Sequence, residues 1–343
     1  MEEITIKDIA RICGVGVSTV SRAINNHPDI NPDTKEKINQ VIKEYGYIPN
    51  NSARNLKRQE ANVVALLIRG INNPFFLSMI PVMGEESKKR GFIYITQRVE
   101  EEEDEIDVAL QLEKEKRLKG IIFLGASYMV DPEKLKKLQS PAVFCTLGKL
   151  SRVPEKDYSS VSIDDAVESK KITDYLIRRG HKKIALVGGR VGDVSIGELR
   201  LNGYKEALAE HGIPFDPILL GHMMTDLDPY SASNGYATMQ NILEKRRDFT
   251  AVYALSDQMA IGAMRALLDA GIKVPEECSV VGFDGTEYAK YSNPRLTTLK
   301  QPSRVLMVKS AELLFDLIEK KCKNEHYILD AELVEGESVI SLL

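Results

Sequence analysis

The sequence predicts a small all-α domain followed by an α/β core of two similar, doubly wound parallel-sheet lobes. Three observations predict it. Residues 1–48 carry helical periodicity only. From residue 62 onward, short unbroken apolar runs alternate with amphipathic helical stretches, the pattern of parallel strands covered on both faces. The unit of strand, loop, helix and new strand also occurs at least twice, as "VVALLIRGINNPFFLSMIPVMGEESKKRGFIYIT" and "KKIALVGGRVGDVSIGELRLNGYKEALAEHGI". A chain of 343 residues, 43% hydrophobic and 28% charged, has enough apolar material for two or three domains.

The first helix follows "TIKDIARICG". Ile6, Ile9, Ala10 and Cys13 share a face, Thr5 is placed to cap it, and Asp8 makes an imperfect capping box. Gly14 can take the left-handed conformation that ends it. After the turn Gly14-Val15-Gly16, a second helix runs from about Val17 to Asn25, with Val17, Val20 and Ala23–Ile24 bracketing its apolar side. A third follows "NPDTKEKINQVIKEYGY". Asn31 caps it, Pro32 suits its first turn, Ile38, Val41, Ile42 and Tyr45 face inward, and Gly46 stops it. Residues 48–62, "IPNNSARNLKRQEAN", are polar, weakly helical and basic, which suits a linker or a conditional helix. The strands are read from "NVVALLI", "GFIYIT", "GIIFLG", "AVFCTL", "KKIALVGG", "FTAVYALS" and "CSVVGFD". Between two of these elements the run "EEEEDE" (100–105) reads as a solvated helix N-terminus, where acids favour the helix dipole.

A first helix, a tight glycine turn and a second helix packed across it make a helix-turn-helix. Its exposed side would show Ser18, Ser21, Arg22 and Asn25. Short hydroxyls and an amide can bond phosphates, and one arginine can grip guanine O6 and N7. Net charge is −4 and the isoelectric point about 5.9, so nucleic-acid binding must rest on a local patch. Residues 4–25 supply one: Lys7, Arg11 and Arg22 against Asp8 give +2. The same three helices could instead be a purely structural cap.

The string "TIKDIARICGVGVSTVSRAINNHPDINPDTKEKINQVIKEYGYIPNNSARNLKRQEANVVALLI", with "NNPFF", "LRLNGYKEAL", "SDQMAIGAMRALLDAGIKVPEECSVVGFDG" and "NPRLTTLKQP", resembles the lactose-repressor/galactose-repressor (LacI/GalR) family of bacterial regulators over nearly the entire chain. The resemblance implies that Val17, Ser18 and Arg22 face base edges in the major groove. Thr5, Thr19, Ser21, Asn25 and Tyr47 would hold the DNA backbone. It implies that "PNNSARNLK" folds as a hinge helix on the operator, with Asn50 and Ala53 at the DNA and Leu56 as a minor-groove wedge. Read without it, Leu56 is a linker leucine touching the core. The core is similar to periplasmic sugar-binding proteins. Asn73, Phe75, Phe76, Thr146, Arg200, Asp257, Asp284 and Gln301 are the implied effector contacts, although Asp257 could instead cap the helix it opens and Phe76 could be core. The chain departs from the family pattern at Gly16, commonly serine, at Ser256, commonly asparagine, at Thr146, near which many members carry an acid, and at Gly285, commonly acidic. "TLGK" (146–149) is similar to a variant among maltose- and glucoside-type regulators.

The implied organisation is a DNA-binding headpiece over 1–48, a hinge over 49–61, and an effector-binding and dimerisation core over 62–343. The first lobe would take about 62–161 plus 294–322, and the second about 162–293 plus 323–343. The expected function is a repressor of carbohydrate-utilisation genes that binds a pseudo-palindromic double-stranded operator as a homodimer and is released by a small carbohydrate. The alternative is a global catabolite regulator with a phosphorylated carrier protein as corepressor. An exported sugar receptor would need a signal peptide, and "MEEITIKDIA" has no apolar segment for one. That opening and four scattered cysteines (Cys13, Cys145, Cys278, Cys322) suggest a reducing cytoplasm, with no membrane span. "ESVISLL" closes the chain without a leucine-heptad tail, hence the expected dimer. No enzyme is expected: "VGGRVGDVSIG" is no phosphate-binding motif, and the five histidines show no triad or metal spacing, so neither cofactor nor metal is called for.

Overall fold

Three helices close around a small core at the N-terminus of the computed structural model, which describes residues 4–24, 27, 29–45, 47, 62–100, 102–189 and 196–343. The chain divides into two compact units, 1–61 and 62–343. In the first, α1 (Ile6–Cys13), α2 (Val17–Ile24) and α3 (Pro32–Glu44) bury Ile9, Ala10, Cys13, Val20, Ala23 and Ile38 together. The capping box at Thr5 is complete. The Asp8 amide donates to Thr5 Oγ1 at 3.4 Å, and the Thr5 amide donates to Asp8 Oδ2 at 3.0 Å. Gly14 is left-handed at φ 68°, and the Val15 amide reaches back to the Ala10 carbonyl at 3.0 Å, turning the chain tightly into α2. Asn31 caps α3, and Lys37 Nζ donates to the Cys13 carbonyl at 3.1 Å, tying α3 to the end of α1. One inward expectation fails. Tyr45 is 49% exposed, because it follows the last residue of α3 and no longer shares the stripe of Ile38, Val41 and Ile42.

The second unit holds two six-stranded sheets. The first contains β1 (Val63–Arg69), β2 (Ile93–Val99), β3 (Gly120–Leu124), β4 (Ala142–Cys145) and β5 (Ser159–Ile163). Its helices are α4 (Pro74–Leu77), α5 (Ile80–Lys89), α6 (Glu105–Lys116) and α7 (Pro132–Leu135). The chain then crosses to the second lobe. There α8 (Asp165–Arg178), β6 (Ile184–Gly189), α9 (Ile196–Glu210), β7 (Leu220–His222), α10 (Ala232–Lys245), β8 (Ala251–Ala254), α11 (Asp257–Asp269), β9 (Ser279–Asp284) and α12 (Glu287–Tyr291) follow. The last elements are β10 (Thr297–Lys300), α13 (Ser303–Ile318), β11 (His326–Leu329) and β12 (Glu332–Val334). Sheet orders are β11-β5-β4-β3-β1-β2 and β12-β10-β9-β8-β6-β7, parallel except for β12, which runs antiparallel to β10. Apolar clusters cover both faces of each sheet, which is why their strands read as unbroken apolar runs.

The expected lobe boundaries need correction at the C-terminal crossings. β10 pairs with β9, so Thr297–Lys300 belongs to the second sheet rather than to a first-lobe segment 294–322. β11 pairs with β5, so His326–Leu329 belongs to the first sheet rather than to a second-lobe segment 323–343. The chain therefore crosses between the lobes three times, at 164, at 301–302 and at 330–331. Pro302 marks the second crossing: a residue without an N–H cannot extend the ladder and opens α13 instead. All four cysteines are free, three of them buried and Cys322 half-buried. No helix among the described residues is long and apolar enough to cross a membrane.

Candidate functional site

On the first unit, α2 presents Val17, Ser18 and Arg22 on its exposed face and Thr19 and Ser21 at its margins, while Val20 and Ala23 anchor it below. A helix with a buried stripe of only two residues is free to lay its opposite face against a partner. Thr5 is exposed at the cap of α1, and Tyr47 is half-buried against the headpiece core. Arg22 is not idle: its Nη1 donates to Asp29 Oδ2 at 3.0 Å, and Asp29 Oδ1 lies 2.7 Å from His27 Nδ1. These two contacts, His27 first, hold the Asp29 carboxyl below its ordinary range. Asn25, Asn50, Ala53 and Leu56 lie outside the described residues.

In the second unit a cavity of about 470 Å³ opens beyond the carboxyl ends of the strands of both sheets. Seven of the eight expected effector residues line it: Asn73, Phe75, Phe76, Thr146, Arg200, Asp284 and Gln301. Asn73 ends the turn after β1 and caps α4 through the Phe75 amide (3.0 Å), which fixes the Phe75–Phe76 pair, 5.4 Å between rings, in the wall. Both phenylalanines are also core, so Phe76 serves wall and core at once. Thr146 sits one residue beyond β4 at φ 72°, and Asp284 ends β9 at φ 115°. Non-glycine residues rarely hold such backbone angles, and strain of about 1–3 kcal/mol each gathers where a binding wall needs a fixed shape.

The charged floor is buried. Arg200, on α9, is 2% exposed, stacks 3.6 Å above the Phe283 ring, and donates through Nε to Asp165 Oδ1 (2.8 Å) and through Nη1 to the Leu255 carbonyl (2.5 Å). Its Nη1 stands 3.8 Å from Asp284 Oδ1, a looser pair, and Gln301 Nε2 donates to that same oxygen at 2.9 Å. One guanidinium thus faces two buried carboxylates. Burial pushes the Asp284 carboxyl up to about 8 and raises Asp165 as well, against the pull of Arg200.

Asp257 is the expected residue that the structure does not bring to the cleft. It is fully buried, and its carboxylate accepts from the Thr286 amide (2.6 Å), Thr286 Oγ1 (2.9 Å) and Thr298 Oγ1 (2.5 Å). It clamps the loop after β9 to β10, and burial lifts its carboxyl to about 6. It does not cap α11 either. Ser256 does, accepting from the Met259 amide at 3.1 Å, and Ser256 rather than Asp257 lines the cleft.

The acidic run is a helix N-terminus as expected, with Glu100, Glu102, Glu103 and Asp104 exposed and Asp104 capping α6, but the solvated reading needs correction at Glu105. Glu105 is 6% exposed; its Oε2 takes Arg69 Nη2 at 2.5 Å and its Oε1 the Ser127 amide at 2.9 Å. Arg69 further donates to the carbonyls of Glu100 (3.0 Å) and Glu103 (2.6 Å), folding the run over the end of β1. Glu102, Glu103, Asp104, Glu105 and Arg69 are cleft-lining residues that sequence reasoning missed, together with Ser127, Met223 and Tyr230. A lone arginine closing an apolar strand was the available signal for Arg69. Hydrogen bonds span the cleft between the lobes, among them Asn72 Nδ2 to Asp228 Oδ2 (3.1 Å) and the Tyr128 hydroxyl to Glu198.

Comparison with known proteins gives this arrangement its family. A model described as bacterial regulatory proteins, lacI family, matches residues 5–50, and one described as a periplasmic binding protein-like domain matches 173–339. The HTH-type transcriptional regulator MalR of Clostridium butyricum is 41% identical over 98% of this chain and 99% of its own length. The chain belongs to the lacI family. This lacI-family chain is thus a helix-turn-helix transcriptional regulator and not an enzyme. Among solved structures it is similar to a CelR–cellobiose complex (30% identity, 98% of this chain and 99% of that one, TM-score 0.73). It is similar also to a lac repressor dimer bound to operator and the anti-inducer ONPF (25% identity, 99% and 100%, TM-score 0.76). The regulator's glycine at 285 has a physical reason. It takes φ 70°, and a Cβ there would lie 2.4 Å from Lys300 Cβ, so no acid can follow Asp284 without moving β10.

Proposed function

We propose that this regulator is a cytoplasmic repressor of carbohydrate-utilisation genes that leaves its operator when a small saccharide enters the cleft between its lobes. The observation that carries the reading is the buried set Asp284, held at φ 115°, Gln301 and Arg200 lining one cavity with the Phe75–Phe76 wall. Pyranose hydroxyls need fixed, planar hydrogen-bonding groups, and their C–H faces need an aromatic surface. The cellobiose held by CelR supports the same class of ligand. Asn73, Thr146 and Ser256 complete the set of groups that would meet it.

The DNA reading rests on the exposed face of α2. Val17, Ser18 and Arg22 read base edges; Thr5, Thr19, Ser21, Asn25 and Tyr47 hold phosphates. Two copies place two recognition helices on a pseudo-palindromic site, as a lac repressor dimer on its operator supports. Residues 49–61 act as hinge helices in the minor groove between the half-sites, with Asn50 and Ala53 at the DNA and Leu56 as the wedge. Ligand closes the lobes further than the Asn72–Asp228 and Tyr128–Glu198 contacts hold them, and the hinges part. The test is thermal unfolding of the full chain against a panel of mono- and disaccharides. A ligand at 100-fold over its Kd adds about 2.7 kcal/mol, a visible shift. The reading expects at least one such shift with a loss of DNA binding, and no shift across the panel would count against it.

A further inference from the structure

We infer that the cleft is built for an uncharged saccharide and rejects anionic ones, sugar phosphates and uronates alike. This rests on the saccharide reading above and adds the charge class of the ligand. Recognition of a phosphate or carboxylate calls for a cation whose donors are open to the ligand. Among the described residues lining the cleft the cations are Arg69 and Arg200, and both already serve the protein. Arg69 donates to the Glu105 carboxylate and to two backbone carbonyls. Arg200 donates to the Asp165 carboxylate and to the Leu255 carbonyl, with Asp284 standing 3.8 Å away.

Among the described residues, the other charges lining the cavity are all negative. Glu102, Glu103, Asp104 and Asp131 stand exposed at its mouth. Asp104 is offset by Lys134 at 2.7 Å; Asp131 serves as cap of α7 and keeps its charge toward solvent. Next to Glu102, a smaller hollow of about 210 Å³ adds Asp226 and Asp228 to the same side. A ligand anion would enter past carboxylates, in a crevice whose low-dielectric walls focus their field, and find its two nearest cations engaged. Neutral hydroxyls meet no such barrier, and the carboxylates and the Gln301 amide can accept and donate to them.

The experiment is calorimetric titration of the full chain with matched sets on one scaffold: glucose, glucose 6-phosphate and glucuronate, and cellobiose beside cellobionate. The neutral member of at least one set binds, and its anionic partners bind at least tenfold more weakly, about 1.4 kcal/mol. The exposed triple variant Glu102→Gln, Glu103→Gln, Asp131→Asn keeps the α7 cap and narrows that gap at least threefold. Equal or tighter binding of an anionic member overturns the inference while leaving the saccharide reading intact. An unchanged gap in the triple variant overturns the role of the rim. Silence from every member of both sets removes the saccharide reading and this inference with it.

Discussion

The headpiece and the cleft handle charge in opposite ways. On α2, Arg22 is exposed and its partner Asp29 is exposed too, so the pair is screened by water and easily exchanged for a phosphate or a base. In the cleft, Arg200, Asp165 and Asp284 are each less than 5% exposed, and removing Arg200 leaves two carboxyl groups without their cation in a dry wall. The difference teaches that a reading face can be altered without endangering its fold, whereas the effector wall is part of the fold. Substitutions at the two arginines should therefore separate stability from binding.

The largest effect is expected at Arg200. Arg200→Ala strands Asp165 and Asp284, and urea unfolding should show a loss of about 3–5 kcal/mol. A loss below about 1 kcal/mol would break the comparison, since the exposed Arg22 should cost no more than about 0.5 kcal/mol by the same measure. Next comes Arg22→Ala on DNA. Specific binding should fall by about 1–3 kcal/mol while weak, salt-sensitive binding survives, as read by titrations on operator and random DNA. Equal loss on both would contradict a base-reading role.

The third expectation is a pH dependence. The Asp284 carboxyl, ordinarily near 3.8, is pushed up to about 8 by burial in the folded chain. Between those values the folded state holds the extra proton, so stability falls as pH rises through the window, by at most about 1.4 kcal/mol per pH unit for this one group. Melting temperatures from pH 5 to 8 should decline in the native chain, and the slope should flatten in Asp284→Asn. A slope identical in the two would mean that Asp284 does not titrate in this window. The smallest effect belongs to Gly16. A Cβ there meets nothing nearer than 3.5 Å, so Gly16→Ser fits and should stabilise α2 by a few tenths of a kcal/mol through its hydroxyl cap. A destabilisation in thermal melts would show that the turn tolerates no side chain.

The same contrast decides what a sequence reveals. Thr5, Gly14, Asn31 and the buried stripe of the headpiece act within a few residues of themselves, so local patterns disclose their roles. Asp284 and Arg200 were legible through resemblance, because their motifs, "GFDG" and "LRLNGY", mark the ends of a strand and the face of a helix. Asp257 was misplaced for a physical reason: it adjoins the cleft residue Ser256 in sequence, but the start of α11 turns its side chain toward Thr286 and Thr298, away from the ligand. Glu105, at the end of the acidic run, misled in the opposite sense. Nothing in "EEEEDE" shows that Arg69, more than thirty residues earlier, will draw Glu105 under the surface. The crossings at 301–302 and 330–331 were hidden because short strands such as "TTLK" and "HYIL" carry no mark of which sheet they join.

The central claim is that the cleft governs the reading head. It is tested most directly by following the anisotropy of labelled operator DNA, selected from a random pool by the full chain, as saccharide is added. The account predicts that a saccharide which raises the melting temperature also weakens operator binding at least tenfold, and that Asp284→Asn binds the operator normally but no longer responds. A saccharide that binds while operator affinity stays unchanged, or an Asp284→Asn chain that responds as fully as the native one, would contradict it.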